Sequence, residues 1–170
     1  VLGTQHQTTL SITTELASLY SKIGKKDLAM PLFEQVLETR MASLGPDHDS
    51  TIYTMNNLAV AYMESGQIEK ALTLFEQTLP KVMKNRPNHP DTLMDMQNLA
   101  LAYQSANQIE KALPLHEQAL KARTAILEPD HYDTIGSMGF LAEAYRVSGQ
   151  LDKAVPLFEV ALEKMRIREH

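Results

Sequence analysis

Apolar residues recur along this chain at spacings of three and four, the pattern of one buried face of an α-helix. Met55, Leu58, Ala59 and Tyr62 make one such stripe, and Ala71, Leu72, Phe75 and Leu79 make a second. Gly66 lies between them, where a left-handed residue is needed to close a helix and glycine adopts that conformation without steric cost. Gly24, Asn107 and Gly149 hold the equivalent place elsewhere. The second stripe opens with an acidic residue (Glu69, and likewise Asp27, Glu110 and Asp152), which suits the positive end of a helix dipole. Ser50 is the expected N-cap of the first helix, its hydroxyl accepting a backbone N–H that has no partner within the helix; Thr8, Asp91 and Asp133 share its column. So short a connection makes the two helices antiparallel, and the small Ala59 and Ala71 let them approach closely.

The whole pattern repeats. His6, His48, His89 and His131 stand 42, 41 and 42 residues apart, each followed three residues later by threonine. Leu16, Leu58, Leu99 and Leu141 recur in register, followed directly by alanine and then by Tyr20, Tyr62, Tyr103 and Tyr145. Further on come an alanine column, two leucine columns and a glutamate column (Glu34, Glu76, Glu117, Glu159). These nine columns are identical in all four copies. A hairpin of two helices cannot bury both stripes alone, so adjacent copies must stack. The expected fold is all-α: a right-handed superhelical α-solenoid of four antiparallel helix-hairpin repeats, with eight helices. The copies run at about 6–47, 48–88, 89–130 and 131–170. Val1-Leu2-Gly3 reads like Ser43-Leu44-Gly45, the tail of a preceding copy, and no polar capping helix follows Met165–His170. The chain is therefore expected to be a fragment of a longer protein, with apolar surface open at both ends.

Prolines interrupt the second helices. Pro31, Pro114 and Pro156 share a column past the first turn, where each removes one helical hydrogen bond and suggests a built-in bend. The second copy has Thr73 there and Pro80 deeper in the helix, which predicts a kink or an early helix end near Pro80 and an altered stacking angle.

Composition narrows the function classes. Hydrophobic residues make up 44% and charged residues 22%, ordinary for a folded domain, and the abundance of Ala, Leu, Glu, Lys and Gln favours helix. The net charge of −5, with no basic run, gives nucleic acid no electrostatic footprint, and no apolar stretch approaches a membrane span, so neither partner is expected. With no cysteines there is neither a disulfide framework nor a thiolate metal site. Equivalent histidines lie one repeat apart and cannot converge on one ion, so no metal and no cofactor are expected, and a turn role beside the helix start suits them better. No nucleophile–base constellation or phosphate loop can be assembled, and no enzyme activity is expected.

The sequence Met55-x2-Leu58-Ala59-x2-Tyr62 followed by Ala71-x3-Phe75 resembles the tetratricopeptide signature, and Leu16/Ala17/Tyr20/Ala29/Phe33 and Leu141/Ala142/Tyr145/Ala154/Phe158 match it as well. The usual repeat is about 34 residues. The longer copies here, with the linker Leu44-Gly45-Pro46-Asp47-His48, the segment Asn56-Asn57-Leu58-Ala59 and Lys111-Ala112-Leu113-Pro114-Leu115, are similar to the kinesin light chain type. The resemblance covers the whole chain. It implies a cytoplasmic protein–protein interaction scaffold that binds a peptide or partner segment along a concave groove lined by the first helices. The alternative is a self-association module, a homo-oligomer formed through exposed terminal repeats.

By that resemblance the groove columns contain Tyr53, Asn56, Asn57 and Val60, then Met94, Gln97, Asn98 and Leu101, then Gly136, Gly139, Phe140 and Glu143. Asn57 and Asn98 precede the repeat leucine, where tetratricopeptide grooves use asparagine to clamp a peptide backbone; otherwise they are solvated polar residues. Tyr53, Val60, Met94, Leu101 and Phe140 make the face apolar, unless several bury against the next copy. Lysines and arginines that would fork a terminal carboxylate are nearly absent from these columns. Gly136 and Gly139 would leave a notch beside Phe140, or mark drift without function. His116 replaces the phenylalanine of Phe33, Phe75 and Phe158 and is expected to be partly buried.

Overall fold

The computed structural model describes residues 4–168. Among them the chain forms eight helices: α1 (Thr4–Lys22), α2 (Lys26–Leu44), α3 (Asp49–Glu64), α4 (Ile68–Asn85), α5 (Pro90–Ser105), α6 (Ile109–Ile126), α7 (Tyr132–Val147) and α8 (Leu151–Arg168). They fall into two compact units, residues 1–81 and 82–170, with the division inside α4. In the first unit α1 packs on α2 and α2 on α3; in the second α5, α6, α7 and α8 pack in sequence. The expectations placed on Val1-Leu2-Gly3, and on Glu169 and His170, lie outside the described residues.

Each hairpin closes as its sequence requires. Gly24, Gly66 and Gly149 have φ near +80° and Asn107 has φ +58°, the left-handed turn at which the first helix ends. In the second copy the Gln67 N–H then donates back to the Tyr62 carbonyl at 2.8 Å, satisfying a helix-end acceptor. The alanines Ala59, Ala71, Ala100 and Ala112 are fully buried, so small side chains do set the close helix approach. A lysine in each of the last three copies lies over the repeat tyrosine: Lys70, Lys111 and Lys153 sit 4.9, 5.0 and 5.1 Å from the ring centres of Tyr62, Tyr103 and Tyr145.

The helix starts differ from the sequence expectation. Histidine, not Ser50, Asp91 or Asp133, is the N-cap. The Nδ1 atoms of His48, His89 and His131 accept the backbone N–H groups of Ser50, Asp91 and Asp133 at 3.1, 3.3 and 3.1 Å. The imidazole nitrogen thus does from the cap position what a serine hydroxyl does there, accepting the backbone N–H two residues on. In the first copy His6 and Thr8 lie inside α1 and neither caps it.

Pro80 does not end its helix. α4 continues to Asn85. Pro31, Pro80, Pro114 and Pro156 are all exposed, on the helix face where water can reach a carbonyl left without its helical donor.

Between copies the glutamate and tyrosine columns meet. The Tyr62 hydroxyl donates to Glu34 and that of Tyr145 to Glu117, both at 2.6 Å, joining the second helix of one copy to the first helix of the next. Burial, reinforced by the carboxylate, pushes both phenols up to about 12. Two arginines that share a column in the first and third copies make a second junction. Arg40 of α2 donates to the Ser50 carbonyl at 3.0 Å and to Thr54 of α3 at 2.6 Å, and Arg123 of α6 donates to Ser137 of α7.

Candidate functional site

Helical geometry sorts the candidate residues into two lines. Tyr53, Asn57 and Val60 stand at i, i+4 and i+7 on α3, and Met94, Asn98 and Leu101 repeat that spacing on α5. Tyr53 and Met94 are 50% and 53% exposed, while Asn57, Val60, Asn98 and Leu101 are half-buried. On α7 the same line holds Gly136, Phe140 and Glu143, with Phe140 41% exposed. These faces remain open at their apolar tips and partly covered at their polar centres.

Asn56 lies about 100° round the helix from that line. It is half-buried and its Oδ1 accepts the Thr78 hydroxyl of α4, so it faces the partner helix of its own hairpin. Its counterparts in the first and third copies, Thr14 and Gln97, are buried outright, which removes Gln97 from the groove columns. Glu143 keeps its place on the face but is already engaged: Arg146 donates to it through Nε at 2.7 Å and Nη2 at 2.6 Å. That fork holds the Glu143 carboxyl below its ordinary range. Asn57 has its Nδ2 shielded and without a hydrogen-bond partner.

The glycines of the last copy do leave a notch, but not beside Phe140. A cavity of about 360 Å3 opens between α7 and α8, lined by Tyr132, Ile135, Gly136, Gly139, Phe158 and Leu162 among others. A Cβ added at either glycine would meet nothing within 4 Å. Phe140 turns instead toward α6, its ring parallel to that of His116 with centres 6.4 Å apart.

His116 is more deeply placed than its sequence suggests, at 1% exposure. Gln97 links it to the junction arginine. The Gln97 oxygen accepts from Arg123 at 2.7 Å, which turns the Gln97 amide nitrogen toward His116 Nδ1 at 3.3 Å. The imidazole proton then sits on Nε2, which is buried without a partner. Desolvation lowers His116 to about 4 and also pulls the Arg123 guanidinium down. Sequence reasoning passed over Arg40 and Arg123, whose shared column and hydroxyl partners fourteen residues on were the available signal.

Among the described residues no group of three or more His, Asp or Glu side chains comes together in a way that could hold a metal ion. The candidate faces present exposed apolar tips, amide groups and, at Glu143, a carboxylate held by its neighbour.

No curated protein sequence is similar enough to count as a relative. Solved structures are. The chain matches a Podosopora anserina protein of kinesin light chain type with nearly identical TPR-like repeats at 31% identity, over 99% of this chain and 80% of that one, with a TM-score of 0.86. A second structure of that protein gives 0.83, also at 31% identity, over 100% and 81%. BtubC from P. vanneervenii shares the fold at 22% identity and a TM-score of 0.84, over 94% of this chain and 64% of that one. The tetratricopeptide repeat profile matches residues 8–84 and 92–166, in step with the sequence register and with the hairpins. The chain belongs to the tetratricopeptide repeat family.

Proposed function

We propose that this chain is a protein–protein interaction scaffold that holds a peptide or partner segment against the open faces of its first helices, α3 within the first unit or α5 with α7 within the second. One observation carries the reading: a large apolar side chain stands exposed on the same face of three first helices, Tyr53 on α3, Met94 on α5 and, one turn further along, Phe140 on α7. Solvent-facing columns of a helix are ordinarily polar, and clustered apolar exposure marks an interaction surface. Asn57 and Asn98 lie one turn along in the first two of these helices. A shielded donor without a partner costs free energy, and turning the Asn57 amide toward a peptide carbonyl would relieve it. Amide groups pair with any peptide backbone, so they would supply grip while the apolar tips select side chains.

A peptide-library screen on the chain, repeated on Asn57→Ala with Asn98→Ala, tests this. Loss of the hits is the expected result, and unchanged binding would overturn the asparagine assignment.

A second reading has its own observation. Ile12, Leu16, Leu19 and Ile23 of α1 are exposed, as are Phe158 and Leu162 of α8, although Leu58 and Phe75 in the same columns are buried. Such faces suit another repeat, and self-association would bring one. Light scattering over a dilution series decides it: a mass that stays monomeric at every concentration rules self-association out.

A further inference from the structure

On the side formed by the second helices, α2 and α4 leave between them a cavity of about 440 Å3. Leu58 and Tyr62 of α3 line it together with Leu37 of α2 and Leu74 of α4, and Glu34, Glu38 and Lys70 stand around it. The second unit repeats the arrangement. Leu120, Leu141, Tyr145 and Leu157, the same columns, line a cavity of about 380 Å3 between α6 and α8. All four of these columns are among the nine that are identical in every copy. Leu37 and Leu74 are only half-buried, so apolar surface stays open where the helices diverge.

The polar groups around the first cavity are mostly committed. Glu34 accepts the Tyr62 hydroxyl at 2.6 Å. Lys70 lies over the Tyr62 ring and donates to Gln67 at 2.8 Å. The Thr73 hydroxyl donates to the Glu69 carbonyl at 2.8 Å. Glu38 is the exception: among the described residues its carboxylate has no hydrogen bond and no ion pair, and it is exposed. In the second unit its column holds Lys121, which does not line that unit's cavity, so the carboxylate belongs to the first cavity alone.

We propose that the cavity between α2 and α4 is a second binding site, which takes an aliphatic side chain of a partner segment flanked by a basic residue. The leucines and the tyrosine ring receive the aliphatic group, and Glu38 pairs with the flanking cation. Apolar burial supplies the affinity, and the rim charge selects the partner, as complementary charge generally governs specificity more than strength. A chain of net charge −5 already attracts such a segment. The site shares α3 with the face proposed above but uses Leu58 and Tyr62 rather than Tyr53, Asn57 and Val60, and it does not depend on that reading.

Nuclear magnetic resonance on the isotopically labelled chain tests it with two probes, the amidated and acetylated peptides Gly-Lys-Leu-Lys-Gly and Gly-Glu-Leu-Glu-Gly. The lysine peptide should perturb Leu37, Leu58, Tyr62 and Leu74. Thr73→Phe, at an exposed helical position, should fill the cavity and abolish those shifts while the thermal transition is kept. Glu38→Lys should weaken the lysine peptide by about threefold to tenfold, the range for reversing one exposed charge, and favour the glutamate peptide. Shifts confined to Tyr53, Asn57 and Val60, no shifts at millimolar peptide, or indifference to Glu38→Lys would each overturn the proposal.

Discussion

The junction of α2 with α3 and that of α6 with α7 are built on the same columns and hold very different interiors. At the first, Phe33 fills the core, Thr14 turns its hydroxyl back to the Leu10 carbonyl at 2.7 Å, and Arg40 serves one carbonyl and one threonine. At the second, His116 replaces the phenylalanine and Gln97 the threonine, and with Arg123 and Ser137 they form one buried hydrogen-bonded chain. Both junctions keep the tyrosine–glutamate link at the same length. The columns that never vary carry what every copy needs to stack. Between them the fold tolerates either hydrocarbon or a polar chain, provided that the polar groups find one another.

The difference makes the second junction the acid-sensitive one. His116 titrates near 4 in the folded chain against an ordinary value of 6.5, because burial penalises its charged form. Between those values the unfolded chain binds a proton that the folded chain does not. Its contribution is therefore complete above the ordinary value and is lost as pH falls through that window, by up to about 3 kcal/mol. Urea unfolding from neutral pH down to pH 4 should show this slope in the wild type and its loss in His116→Phe, which installs the residue of the other copies. Equal slopes in the two proteins would break the contrast.

A smaller separation is expected from the arginines. Arg123→Leu leaves the buried Gln97 oxygen with only the long Ser137 hydroxyl contact at 3.4 Å and should cost about 3 kcal/mol, the lower end for breaking a buried charged network. Arg40→Leu should cost about 2 kcal/mol, because Thr54 also donates to the Ser50 carbonyl and keeps a partner. Denaturant midpoints of the two variants measure the gap. The tyrosines should show none at all: Tyr62→Phe and Tyr145→Phe should each cost about 1 kcal/mol, one hydrogen bond apiece. A clear inequality there would mean that the shared columns are not equivalent after all. Smallest of all, His48→Ala and His131→Ala should each cost about 0.5–1 kcal/mol through the lost cap, read by helix content on heating.

Most of the fold was legible in the sequence because identity across four copies filters out accident. Leucine, alanine and tyrosine columns gave the hairpin and its register, and glycine or asparagine gave its turn. The parts that were not legible involve two columns at once. Tyrosine and glutamate each recur, but only their contact across copies explains why both must. The arginines carry no sign of burial in their own copy, since burial of a guanidinium depends on hydroxyls supplied by the next copy. Ser50 and the histidine before it both suit a helix start, and the local geometry chose the ring nitrogen. For the candidate faces, spacing placed Tyr53 and Met94 in one exposed column and Phe140 one turn along the same face, but a single step along the helix moved Asn56 and Gln97 inward. The neighbouring helix decides that step.

The arginine locks also bear on how such an array can be recombined. Each lock has its donor in one copy and its hydroxyl in the next, so a copy transplanted alone would carry half a lock. The cassette that travels intact is the pair, first with second or third with fourth. The first helices of the second and fourth copies, with Thr54 and Ser137 in the accepting column, are exchangeable parts; that of the third would offer the arginine a carboxylate, Asp95, in place of a hydroxyl.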